Sequence, residues 1–329
     1  MGSAHRPGDQ SLRSFGPQAQ RVLLTGWYSF RHGEATAGDV LAGEAVAAAL
    51  RSRGIAYDTA WSPNFRPAGL HLHHADPARY SHVVFACGPL HSRPPAPGVP
   101  PPLAELHERF AACRRIAVGV STPDPADPAV AGFHLVLPRD APDCAPLPDL
   151  ALLAPRPAPV PVVAVVLTDG QHEYGPRRRH TDVSHALTRW LRALDVTRLP
   201  VDTRLDAHDW RLCSTPAQLR TLLSRVDAVV TTRLHGLVLG LEAGAPVLAV
   251  DPVAGGAKVT AQARALDWPA VLPAEQADDA HLAEWWAWCL TPQARHRAGR
   301  LRADGLARPD ILDRLLTELR PLGGRHPSR

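Results

Sequence analysis

Short apolar runs alternate with stretches of helical periodicity along almost the whole chain. Arg21–Gly26 reads as a buried strand ending on glycine, and Val40–Arg53 repeats Ala and Leu at helical spacing until Gly54 stops it. Ile55–Asp58 begins a second strand, and His82–Cys87 forms a third, closed by Gly88-Pro89. Pro101–Arg114 is helical, Ile116–Val120 returns to strand, and Phe133–Leu137 is a further short strand. Strands alternating with helices predict parallel βαβ units.

The stretch Pro138–Pro161 is rich in proline, which stiffens a chain and removes ladder donors. Beyond it the alternation restarts. Val162–Leu167 is predicted as strand, Val183–Leu194 as helix and Leu199–Asp202 as strand. Thr215–Val226 follows as helix, Ala228–Thr231 as strand, Leu234–Ala243 as helix and Pro246–Val250 as strand. Two more helices, near Ala280–Leu290 and over Pro292–Leu322, finish the pattern. No repeat of solenoid period is present.

The expected organisation is a disordered leader over 1–19, then an N-terminal Rossmann-like domain over 20–140. A linker over 141–160 and a C-terminal Rossmann-like domain over 161–329 complete it. The fold class is α/β, with two Rossmann-like doubly wound domains facing a cleft in a GT-B-like layout. Ligands of such sheets bind at the carboxyl ends of the strands, so the loops there are the ones that matter.

Composition narrows the function classes. Apolar residues make up 45% of the chain, enough for sizeable cores. No apolar run approaches the roughly 20 residues needed to cross a bilayer, and residues 1–19 lack the apolar centre of a signal peptide. A cytoplasmic location is expected, without a membrane span; peripheral contact with a lipid-linked acceptor stays open. The five cysteines, Cys87, Cys113, Cys144, Cys213 and Cys289, form no CxxC pair, so buried free thiols are expected for most. The net charge of +4 comes without a basic stripe interleaved with aromatics, which argues against nucleic acid as a partner.

One compositional fact is more pointed. Lys258 is the only lysine, although Lys and Arg together number 36. A chain that uses arginine almost everywhere, yet keeps one lysine, suggests a site that needs a compact ammonium.

Lys258 ends the segment richest in chemistry, Asp227–Lys258, DAVVTTRLHGLVLGLEAGAPVLAVDPVAGGAK. A strand runs into Thr231-Thr232-Arg233-Leu234-His235, where a helix starts and directs free amides outward. Arg233 offers a fork suited to carboxylate or phosphate, and His235 an imidazole suited to proton transfer. The bland reading pairs Arg233 with a carboxylate and packs His235. Weaker candidates are Glu173, Tyr174, Arg177 and His180 in one loop, Asp202, Arg204 and Asp206 in another, and Asp251 after a strand. His71-Leu72-His73-His74 lacks carboxylate or Cys partners and is expected as a surface loop, so no metal is expected. Trp285 and Trp288 share a helix face, where packing between domains is expected.

The segment VVTTRLHGLVLGLEAGAPVLAV resembles the polysaccharide pyruvyl transferase family, with its R-L-H corner, helix and G-x-P-strand. GWYSFRHGEATAGDV, LPRD at 137–140, PDLAL at 148–152, QHEYGPRRRH at 171–180 and DTRLD at 202–206 are similar to segments of that family. The resemblance spans most of residues 21–275. It implies a GT-B-like enzyme that transfers the pyruvyl group of phosphoenolpyruvate onto two hydroxyls of a saccharide or related acceptor, forming a ketal. Phosphoenolpyruvate would be the donor substrate, with no cofactor. The resemblance also implies His235 as acid/base, Arg233 and Arg139 at the donor anion, and Asp39 at the cleft. Gly38-Asp39 follows Ala35-Thr36-Ala37 here, without the Asn of the usual Asn-x-Gly-Asp. The competing readings are a nucleotide-sugar glycosyltransferase on the same fold and a catalytically silent relative that binds a glycan or protein partner.

Overall fold

The computed structural model describes residues 20–303 and 310–319. The expected leader over 1–19 and the final residues of the last predicted helix lie outside the described residues. The chain divides into two compact units between Pro157 and Ala158.

In the first unit, strands β1 (Arg21–Thr25), β2 (Ala56–Thr59), β3 (His82–Ala86), β4 (Arg114–Ser121) and β5 (Leu135–Asp140) form one parallel sheet. Its order is β2-β1-β3-β4-β5. Helices α1 (Ala37–Ser52), α2 (Pro102–Arg109) and the single turn α3 (Pro128–Ala131) lie between the strands in the chain. Alternate residues of each strand serve opposite faces. Val22, Leu24, Val84 and Ala86 join Ala47 of α1 in one core; Leu23, Val83 and Phe85 join Leu103 and Leu106 of α2 in another. A sheet covered on both faces explains why its strands read as unbroken apolar runs.

The second unit repeats the plan. Strands β6 (Val162–Val166), β7 (Thr197–Pro200), β8 (Ala228–Thr231), β9 (Val247–Asp251) and β10 (Val271–Pro273) form a parallel sheet of order β10-β9-β8-β6-β7. Counted within each unit, both orders are 2-1-3-4-5, a doubly wound arrangement in which the strand order reverses between the first and third strands. Helices α4 (His180–Ala193), α5 (Pro216–Leu223), α6 (Leu234–Glu242) and α7 (Lys258–Ala265) connect the strands. Three more, α8 (Asp279–Cys289), α9 (Pro292–Ala303) and α10 (Asp310–Glu318), follow. Each unit is therefore Rossmann-like.

Several expectations are corrected. The first part of the proline-rich stretch over 141–160 packs on the first unit. Its turn Leu150–Leu153 packs on α1, and Asp149 is ion-paired to Arg139 of β5. The apolar Leu150, set against Gly119, is what draws it in. Strand β7 lies two residues earlier than predicted and ends at Pro200, which leaves Asp202 in the loop beyond. Helix α7 and strand β10 have weak sequence signals and were not predicted. The tryptophans of α8 pack on the core of the second unit. Trp286 meets Trp190 of α4 edge-on at 6.0 Å, and Trp288 meets Trp268 at 5.2 Å.

Candidate active site

The carboxyl end of the second sheet gathers the candidate residues of that unit. Strands β6 and β8 flank the reversal point, and the loops leaving them are stitched together there. The Thr168 amide donates to Thr232 Oγ1 at 2.9 Å, and Thr231 Oγ1 donates to the Val166 carbonyl at 2.9 Å. The Thr231 hydroxyl also accepts from the Arg233 amide at 2.9 Å. Two buried threonines thus fix the corner from which Arg233 and His235 emerge.

Glycine is required inside this corner. A Cβ on Gly236 would lie 2.2 Å from Thr231 Oγ1. Gly236 lets α6 start directly against the strand end. No side chain caps that helix start, so its first amides are available to an anion. His235 is exposed in the first turn, and Arg233 is half-buried.

Arg233 has a partner. Its Nη1 donates to Asp202 Oδ1 at 2.8 Å, beyond β7. Asp202 also accepts from Arg204, from Nε at 2.7 Å and from the backbone amide at 2.8 Å. Burial alone would push the Asp202 carboxyl up. The hydrogen bonds and charge of Arg204, with the charge of Arg233, outweigh it and leave the carboxyl below its usual range. The arrangement is two guanidiniums on one carboxylate, and Arg233 has further N–H groups to offer.

The loop after β9 is shaped by Asp251, which is fully buried. Its Oδ1 accepts from the Val253 amide at 3.2 Å. Its Oδ2 accepts from the amides of Ala257 and Thr260 and from Thr260 Oγ1, at 2.7, 2.9 and 2.9 Å. Gly255 and Gly256 adopt positive φ, of 76° and 80°, to make the bend. Lys258 is consequently the first residue of α7 rather than part of an open loop. Its Nζ lies 4.0 Å from Glu173 Oε1 and 5.9 Å from the Tyr174 ring centroid.

Glu173, Tyr174 and Arg177 belong to the strap after β6, which pairs with the β9 loop. Ala254 donates to the Arg177 carbonyl and Arg179 to the Pro252 carbonyl, each at 2.8 Å. The Arg177 guanidinium carbon sits 5.8 Å from the Tyr174 centroid, so Tyr174 has both Arg177 and Lys258 near its ring. His180, the first residue of α4, is buried; its Nε2 is 3.1 Å from Gln171 Oε1, while Nδ1 has no protein partner. Burial, helped by Arg178, holds its pKa below the usual range against the pull of Asp251, Asp169 and Glu173. The structure therefore brings Arg233, His235, Arg204, Lys258, Arg177 and His180 to the carboxyl end of one sheet.

Arg139 and Asp39 belong to the first unit, where each lies near Cys87 at the end of β3. Arg139 is ion-paired with Asp149 and, at 2.7 Å, with Asp140. Its Nη1 lies 4.0 Å from Cys87 Sγ. The segments LPRD and PDLAL thus join through Arg139 and Asp149. Asp39 accepts from the Thr36 hydroxyl at 2.8 Å, while the Asp39 amide donates back to that oxygen and caps α1. Cys87 has a left-handed φ of 64° at the end of β3. Burial, with Asp149 and Asp39 nearby, pushes its thiol up to about 11. Sequence reasoning gave Cys87 no role beyond packing, and only its place just before Gly88-Pro89 signalled the turn. All five cysteines are free, with Cys87, Cys113 and Cys289 buried.

Beside this point lies a cavity of about 500 Å³ lined by Trp27, Asp39, His91 and Arg93, among others. The Trp27 and His91 rings stack at 4.7 Å, and Trp27 Nε1 donates to the Pro89 carbonyl at 3.0 Å.

Cationic side chains thus gather at the reversal point of a parallel sheet, the place where doubly wound α/β proteins bind their ligands. Residues 142–252 match the family model for polysaccharide pyruvyl transferase, which supports a transferase and bears out the resemblance over that segment. The match takes in Asp149, Asp202, Arg233 and His235. It stops short of Lys258 and begins after Arg139. No curated protein matches the chain. Among solved structures the chain is similar to the spinosyn rhamnosyltransferase SpnG complexed with thymidine diphosphate. The two are 14% identical, covering 91% of this chain and 100% of that one, with a TM-score of 0.33. It is also similar to the glycosyltransferase SnogD from Streptomyces nogalater (16% identity, 92% and 99% covered, TM-score 0.30). Acinetobacter baumannii MurG is a third (13% identity, 91% and 99% covered, TM-score 0.32). Similarity this loose carries no argument about chemistry. Among the described residues no helix is long and apolar enough to cross a membrane.

Proposed function

We propose that the protein transfers the pyruvyl group of phosphoenolpyruvate onto two hydroxyls of a saccharide, forming a cyclic ketal and releasing phosphate. The observation that carries this reading is the corner Thr231–Gly236. It sets the Arg233 guanidinium, the uncapped start of α6 and the exposed imidazole of His235 at one point of the second sheet.

The chemistry needs an acid, a base and a seat for negative charge. His235 donates a proton to the methylene carbon of phosphoenolpyruvate, and positive character develops at C2. A sugar hydroxyl adds there and its proton returns to the imidazole. The C2–O bond to phosphate then breaks, and a second hydroxyl closes the ketal, its proton leaving with the phosphate. Arg233, the helix amides and Lys258 stabilise the anionic groups as charge shifts onto the phosphate.

Phosphate release from phosphoenolpyruvate, measured with a panel of saccharide acceptors, tests the reaction. Acceptor-dependent release by the wild type, lost in His235→Ala, is the expected result. Phosphoenolpyruvate that neither binds nor turns over, while a nucleotide sugar binds, would overturn it.

A further inference from the structure

The histidine cluster of the first unit has no part in the transfer chemistry proposed above. His71, His73 and His74 each present a ring nitrogen within 4.8 Å of the others, and no other three metal-ligating side chains among the described residues come so close. Local geometry explains the convergence. Leu72–His74 is a single 3-10 turn with His71 as its N-cap. With three residues per turn, positions i and i+3 lie one above the other, which places His71 over His74 and His73 beside them. The His73 and His74 ring centroids are 3.9 Å apart, and those of His71 and His74 are 5.5 Å apart.

Two further contacts prepare the turn. His71 Nε2 is 3.2 Å from the Arg66 carbonyl. A carbonyl can only accept, so this nitrogen carries the proton and Nδ1 keeps a free lone pair. Orientation of a ligating imidazole by a backbone carbonyl on its other nitrogen is the usual support of a metal-bound histidine. Meanwhile Arg109 of α2 donates to the carbonyls of His73 and Ala75, at 2.8 and 2.9 Å, and fixes the backbone from outside.

We propose that His71, His73 and His74 form a site for a divalent transition metal ion such as Zn2+, bound through His71 Nδ1 and one ring nitrogen each from His73 and His74. Zn–N bonds of about 2.0–2.1 Å in tetrahedral geometry set nitrogens about 3.4 Å apart. The exposed rings of His73 and His74 close that remaining distance by side-chain rotation. Three imidazoles suit zinc, copper, nickel or iron rather than magnesium or calcium. Three protein ligands leave a fourth position for water or an anion. His73 also lines a cavity of about 320 Å³ with Arg31 and Arg109 on its wall, so an oxyanion in that position would meet both cations.

Calorimetric titration of the chelator-stripped full chain with zinc chloride tests this. The expected result is one Zn2+ per chain, with affinity falling at least about tenfold in the His73→Gln/His74→Gln double variant and unchanged in His208→Ala. Both substituted side chains are exposed, and matching thermal melts confirm that the variant folds. Cobalt(II) gives an independent reading: the wild type is expected to show the intense visible absorption of four-coordinate Co2+. The proposal is overturned if the wild type shows no saturable zinc binding, if the double variant binds as the wild type does, or if cobalt gives only the pale six-coordinate spectrum.

Discussion

Arg233 reaches across the end of β6 to Asp202 at 2.8 Å, linking the two loops that leave β8 and β7 on either side of that strand. An arginine proposed to hold the donor's anion thus already rests on a carboxylate. The incoming anion has to share Arg233 with Asp202 or displace it. Asp202→Asn removes the competing charge and should tighten phosphate or phosphoenolpyruvate binding by about two- to fivefold, the scale of a partly exposed pair. Direct titration of wild type and variant with either anion reads this. Weaker binding would mean that Asp202 aims Arg233 rather than competing for it.

His235 is exposed in the first turn of α6, and its loss should cost chemistry more than binding. For His235→Ala, kcat for phosphate release is expected to fall by about 10²–10⁴, the usual worth of a positioned acid/base, with KM for phosphoenolpyruvate nearly unchanged. Lys258→Ala should do the reverse, raising that KM with a smaller effect on kcat. Lys258→Arg should restore it only partly, because the ammonium shares the Tyr174 ring with Arg177. Steady-state kinetics on the three variants separate these outcomes.

Gly236→Ala tests the corner itself. The added methyl would sit 2.2 Å from Thr231 Oγ1, inside a buried hydrogen-bond network. Overpacking of this kind costs about 1–3 kcal/mol, so denaturant melts should shift to a lower midpoint. Activity should fall as well, because the same hydroxyl fixes the Arg233 amide. An alanine variant with wild-type stability would mean the strand–helix junction is looser than described.

The pH dependence of stability follows from His180 and His107. Burial lowers the pKa of both; at His107 the Ala129 carbonyl and at His180 the nearby carboxylates oppose it. In the unfolded chain a histidine titrates near about 6.5. Below that value the unfolded state binds more protons than the folded one, so stability falls as pH drops and is recovered as pH rises through 6.5. Thermal melts from pH 5 to 8 should show this slope. His180→Gln should flatten it.

Much of the fold was legible in the sequence because both sheets are covered on both faces. Runs such as Val162–Leu167 and Ala228–Thr231 had no polar alternation to blur them. Helix α7 was not legible: KVTAQARA has little apolar periodicity, and its start is set by the buried Asp251 carboxylate rather than by a capping residue. The end of β7 was misplaced because Leu199 and Val201 look like continuing strand, whereas Pro200 ends the ladder. At the site, the chemistry of Arg233, His235 and Lys258 was visible by residue type. Their partners were not, since Asp202 is 31 residues from Arg233 and Glu173 is far from Lys258 in the chain. Nor could the reading of HLHH as a surface loop see that a 3-10 turn would bring its rings together.

The Asp251 carboxylate draws all four of its donors from the nine residues that follow it. That stretch carries its own carboxylate template, while Pro252 and Ala254 are tied to the strap after β6 and Gly255 to Glu275. The template sets the bend and the outside ties hold it in place. A graft meant to present the same ammonium at the same helix start would therefore have to carry the strap along with residues 251–260.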